Sequence, residues 1–197
     1  MTDGPLDDLS RMLDLSGSLI EAVRPEQAGL PTPCRSWDVR TMVAHLVDDT
    51  RQFTAAAAGG RVAWDIQAAV ARLGNDWAGE FRAGAAGLRS AWQRAGDLSQ
   101  EIELPIGRVP KSFVISQQVA EIAVHSWDLA TATGQRPDFP AGACETALAW
   151  AKGALRPEFR GDEASGKAFG PEVPAPAGVS PADRLAAFFG RHPQPAR

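Results

Sequence analysis

Apolar residues recur at helical spacing through most of the chain. Between Leu6 and Val23, the residues Leu6, Leu9, Leu13, Ile20 and Val23 fall on one stripe, with Met12 and Leu19 beside it. A repeat near 3.6 residues predicts an amphipathic helix. Pro25, Gly29 and Pro31 break the pattern into a connector. A second stripe of Val39, Met42, Val43, Leu46, Thr50 and Phe53 predicts a second helix. Ser36 is its expected N-cap, Asp38 lies in its first turn, and Gly59-Gly60 ends it. A loosely patterned stretch follows. Trp77, Phe81, Leu88 and Trp92 then place a third helix between Asp76 and Ala95. The residues from Glu101 to Leu104 read as a short strand, interrupted by Pro105 and Gly107. Ile115, Val119, Ile122, Ser126 and Leu129 mark a fourth helix, capped by Ser112 and stopped by Gly134, and a shorter fifth runs from Ala141 to Leu155.

The residues from Arg156 to Val179 are rich in Gly and Pro and carry no period, which predicts an extended wrap. Ser180-Pro181-Ala182-Asp183 combines an N-cap serine, a proline at the first helical position and an acid at the third. Leu185, Phe188 and Phe189 give the last helix an apolar face, and Gly190 and Pro193 end it. The expected fold is therefore mainly all-α. Residues 1–155 form a four-helix bundle with one short possible strand, and residues 156–197 pack on it as an extension of the same domain.

Composition narrows the function. The 197 residues carry a formal net charge of -4, with no basic block, so neither nucleic acid nor an anionic membrane surface is an expected partner. The first eight residues lack the charged and apolar regions of a signal peptide. No apolar run approaches the ~20 residues that a spanning helix requires. Cys34 and Cys144 form no CxxC pair, which fits a reducing compartment. The expected location is the cytoplasm. Of the 20 basic residues, 17 are Arg and three are Lys, a skew that points to a GC-rich genome rather than to chemistry.

Candidate chemistry sits on the second and fourth helices. Glu121 and His125 are four residues apart, hence on one helical face. Gln117 and Asp128 extend the same polar stripe, beside the apolar one. His45, with Asp49 one turn on, is similarly placed. Two ligands from one helix and one from its neighbour is how bundles build metal sites. Two imidazoles and a carboxylate suit zinc, nickel, iron or manganese, and three protein ligands leave a position open. The same spacing also describes an ordinary surface ion pair and a core histidine. Asp49 and Asp128 read equally as acceptors that orient the histidines or as plain helix acids. Trp37 and Trp127 read as core anchors or as pocket walls. Arg184 and Arg191 read as carboxylate binders or as partners of surface acids. Cys34 reads as a buried thiol or a reactive one, and His192 as an exposed tail residue.

Three segments carry a resemblance. Thr32-Pro33-Cys34-Arg35-Ser36-Trp37-Asp38-Val39-Arg40, followed by His45-Leu46, resembles the start of the mycothiol-dependent maleylpyruvate isomerase N-terminal family. That family belongs to the DinB-like superfamily of metal-binding four-helix bundles. Glu121-Ile122-Ala123-Val124-His125-Ser126-Trp127-Asp128-Leu129-Ala130 looks like its second signature. The ending from Asp183 to Pro193 is similar to the tail of a shorter actinobacterial branch. The resemblance implies one divalent metal, zinc by preference, on His45, Glu121 and His125. It also implies mycothiol as co-substrate, its thiol activated for attack on a small electrophile in a transferase or isomerase reaction. The full-length isomerases continue into a separate C-terminal domain that the residues after the bundle are too few to form, so the resemblance covers the bundle. A non-enzymatic metal-binding bundle, for storage, sensing or structure, and a metal-dependent hydrolase are the alternatives. The expected assembly is a monomer or a homodimer.

Overall fold

The computed structural model describes residues 4–34, 36–104, 107–161 and 169–194. Helix starts follow the local chemistry. In α1 (Pro5–Glu21) proline occupies the first turn, and the Asp7 carboxylate accepts the Gly4 N–H at 3.2 Å. α2 (Val39–Ala57) is capped by Asp38, whose Oδ1 accepts the Thr41 N–H at 2.8 Å, so the expected Ser36 cap is displaced by two residues. The reason is tertiary. Pro31 pairs with Asp38 in an isolated β-bridge, and Thr32 Oγ1 donates to the Trp37 carbonyl at 2.8 Å, which keeps the backbone extended up to Asp38.

A short helix, α3 (Ile66–Arg72), occupies the stretch with no clear period and packs on α2. α4 (Trp77–Arg94) begins at an Asp76 cap. The expected strand, β1 (Glu101–Leu104), pairs antiparallel with β2 (Gly107–Pro110), Glu101 opposite Pro110 and Leu104 opposite Gly107. The hairpin leads into α5 (Lys111–Thr133). Ser112 is not its cap: the Lys111 and Ser112 N–H groups instead donate to the carbonyls of Gln100 and Leu98, at 2.9 and 3.0 Å. Gly134 ends α5 in the left-handed region. α6 (Ala141–Ala154) and α7 (Pro181–Phe188) follow, the latter with the reciprocal Ser180–Asp183 capping contacts that its sequence predicted.

Four long helices form the bundle. α1 packs on α4 and α5, and α2 packs on the same two, so α1 and α2 stand diagonally opposite. The core runs through Leu9, Met12, Met42, Leu46, Phe81, Leu88, Trp92 and Ile115, all essentially inaccessible. α2 and α4 approach closely at Gly84, where a β-carbon would strike the Thr50 side chain. α6 covers α5, and α7 covers both. Residues 162–168 of the expected wrap lie outside the described residues. Before them the chain makes a short 3-10 turn over Pro157–Phe159. After them Val173 N–H donates to the Ala187 carbonyl at 3.0 Å, tying the tail to α7. No helix among the described residues is long and apolar enough to cross a membrane.

Candidate metal centre

The α2–α5 contact decides where the polar residues of both helices meet. His45 stands on the second turn of α2, and Glu121 and His125 on successive turns of α5. One ligand atom from each of the three lies within 4.8 Å of the other two. His125 Nε2 is 3.4 Å from Glu121 Oε2, and the two imidazole centroids are 4.8 Å apart, edge to face. Side-chain exposures of 16% for His45, 10% for His125 and 21% for Glu121 leave a narrow approach from solvent, widest at Glu121.

Trp37, in the loop before α2, covers both imidazoles, with ring centroids 4.6 Å from His45 and 5.5 Å from His125. Asp49 lies beneath. Its Oδ1 accepts the Trp64 indole N–H at 2.9 Å. Its Oδ2 is 3.3 Å from His45 Nε2, but off the direction of a hydrogen bond, so that buried nitrogen has no partner. On the other side Asp128 Oδ2 meets His125 Nδ1 at 3.2 Å, and Arg191 grips the same carboxylate through Nε at 3.0 Å and Nη2 at 2.6 Å. Arg191 thus pairs with a buried acid, not with the surface acids expected for it.

Trp127 and Arg184 make their hydrogen bonds outside this cluster, whereas Cys34 lies within electrostatic reach of Arg191. Trp127 N–H donates to Asp183 Oδ1 at 2.8 Å, fastening α5 to the start of α7. Arg184 meets Glu145 at 3.2 Å on the surface and donates to the Val179 carbonyl. His192 is exposed and Cys34 half-buried. One contributor to the cluster, Trp64, escaped the sequence reading, and for Arg191 the reading named the residue but not its buried partner. Trp64 belongs to a stretch without period, and Arg191 follows a helix stop that carries no hint of direction.

Electrostatics separates the two histidines. Burial, and then the charge of His125, holds His45 well below the usual imidazole range, so it is neutral near pH 7. Burial acts strongly on His125 as well, but hydrogen bonds to Asp128 and Glu121 outweigh it and raise that imidazole to about 9. Burial, reinforced by the Glu121 charge, pushes Asp49 up to about 8. Asp128 moves the other way: burial opposes its charge, but the contacts with His125 and Arg191 keep it below the ordinary carboxylate range. The donor set fits a divalent cation. It offers one carboxylate and two imidazoles, one of which has a neutral, buried Nε2 that makes no hydrogen bond among the described residues.

The profile of the mycothiol maleylpyruvate isomerase N-terminal domain family matches residues 9–130, which run from within α1 through most of α5. The chain belongs to this family. Two uncharacterized proteins from strains of Mycobacterium tuberculosis are 35% identical to it over 187 residues, covering 95% of this chain and 97% of each relative. The crystal structure of a mycothiol-dependent maleylpyruvate isomerase superposes with a TM-score of 0.60 at 16% identity, and a mutant of that enzyme with 0.56 at 17%. Both likenesses show the shared fold. They cover 72% of this chain, which spans 65% of the isomerase's own length.

Proposed function

We propose that this family member is a divalent-metal enzyme that activates a small thiol of the mycothiol type for attack on a small electrophile, in S-transfer or isomerisation. The supporting observation is the convergence of His45, Glu121 and His125 around an unpartnered imidazole nitrogen. These three side chains hold the ion, which we take to be zinc. When bound, the cation would supply Lewis-acid chemistry that lowers the pKa of a thiol near it.

The protein's own contribution is orientation and exclusion. Trp37 lies over both imidazoles and keeps water off that side of the site. Asp128 fixes the plane of the His125 ring. Trp64 anchors Asp49 beside His45. Glu121, the most exposed of the three ligands, borders the path by which the thiol and its electrophile enter. We place the enzyme in the cytoplasm, as a monomer or homodimer. A hydrolase is the weaker reading, because among the described residues no carboxylate or imidazole beyond the ligands and their buried partners Asp49 and Asp128 joins the cluster to activate water.

The test is elemental analysis of the purified protein, followed by turnover of small electrophiles with and without mycothiol. One equivalent of metal, and turnover only when the thiol is present, are the expected results. Metal without thiol-dependent turnover makes the chain a non-enzymatic metal-binding bundle. Turnover with water alone makes it a hydrolase, and absence of any bound divalent metal overturns the proposal.

A further inference from the structure

The C-terminal segment reaches the candidate metal centre through one side chain. α7 ends at Phe188, and the chain reverses at Gly190, whose φ is 87°. A β-carbon there would lie 3.0 Å from the Pro171 carbonyl oxygen and 3.1 Å from Gly170 Cα, so the turn requires glycine in both conformation and space. Gly190 and Arg191 N–H donate to the carbonyls of Ala187 and Ala186, each at 3.0 Å, and close the turn. This aims Arg191 inward. Its Nη1 donates to the Phe189 carbonyl at 2.9 Å, and its Nε and Nη2 make the paired bonds to Asp128.

The geometry is the two-pronged match of guanidinium to carboxylate. Only 11% of the Arg191 side chain and none of the Asp128 side chain is exposed. A carboxylate buried so deeply is stable as an anion only with a charge partner. Held as an anion, Asp128 accepts and does not donate. It therefore takes the Nδ1 proton of His125 and leaves Nε2 facing Glu121 and His45.

We propose that Arg191 is a positioning residue for the metal centre: it fixes the Asp128 carboxylate, which fixes the His125 ring with Nε2 turned to the ion. This rests on the metal-binding reading above and extends the site by a residue 63 positions downstream of Asp128. The centre is then complete only when the turn at Gly190 and Arg191 is docked.

Cobalt(II) affinity, measured by chelator competition and the visible spectrum, tests the proposal in the full-length protein. Arg191→Met keeps the aliphatic stem and removes the fork. It is expected to weaken cobalt binding by about 10- to 100-fold, the usual effect of losing a partner that orients a ligand. Arg160→Met is the control for a loosened tail, because Arg160 ties the carbonyls of Gly170 and Phe188 without touching Asp128. It should bind cobalt with wild-type affinity even where it melts as early as Arg191→Met. In an Asp128→Asn background, Arg191→Met should cause no further loss, since the two act in series.

If Arg191→Met fails to fold, Arg191→Lys, which keeps the charge and loses the paired contact, carries the same test. Wild-type affinity in the folded Arg191 variant, or full additivity with Asp128→Asn, overturns the positioning role and leaves the metal site standing. Wild-type protein that binds no cobalt removes the metal reading and this role with it.

Discussion

The helix α5 meets the three other bundle helices in different ways. Against α1, the hydroxyls of Ser16 and Ser126 lie 2.5 Å apart, both fully buried, so each satisfies the other. Facing α4, Trp92 N–H donates to Gln118 Oε1 at 3.1 Å, which leaves only the amide nitrogen of Gln118 over. Against α2, the same helix brings two histidines and a carboxylate together and leaves His45 Nε2 with no partner. Burial of an unpaired polar atom costs folding energy. In the first two contacts the polar groups serve packing. In the third, ionisable donors converge at a partly open edge, where a bound cation would satisfy them. The difference separates a structural hydrogen bond from a candidate site within one helix.

The largest expected effect falls on the open side. His125→Ala should take bound metal from one equivalent to none by elemental analysis, while circular dichroism stays that of the folded bundle, because apolar stripes hold α2 against α5. Retention of a full equivalent would show that the convergence is only a packing feature. Trp92→Ala should do the reverse. Removing this fully buried ring should cost about 3–5 kcal/mol in denaturant unfolding while metal content stays intact.

Asp49→Asn should be milder, weakening metal affinity by about 10-fold through a less well-held His45. An unchanged dissociation constant would make Asp49 a packing residue. Replacing Ser16 and Ser126 together with Ala should change stability by less than about 1 kcal/mol, because both partners are removed and no orphan is left. A larger loss would mean that the closed contact is worth more than its hydrogen bond.

The smallest effect concerns Cys144, in the covered face of α6. Burial, and then the nearby Asp8 charge, push this thiol up to about 12. At pH 8 it should therefore resist alkylation in the native protein and react only on unfolding. Mass spectrometry after brief iodoacetamide treatment checks this, and rapid native labelling would show that α6 opens readily.

Local chemistry determined much of this protein. The apolar stripes give α1, α2, α4 and α5 because side chains three and four residues apart share a face wherever the backbone is helical. Ser180-Pro181-Ala182-Asp183 starts α7 because its capping groups all lie within one turn. Glu121 and His125 meet for the same reason. Where such local signals are absent or outvoted, the tertiary structure decided. α3 and β2 are short and lean on neighbours rather than on a period of their own. Asp38 rather than Ser36 caps α2 because a bridge to Pro31 holds the preceding backbone extended. His45 joins α5, Trp37 covers both imidazoles, Trp64 reaches Asp49 and Arg191 reaches Asp128 only once the helices have packed. Spacing along a chain fixes which residues share a face. Which face another segment meets depends on packing across long separations, and there the electrostatics of the site is set.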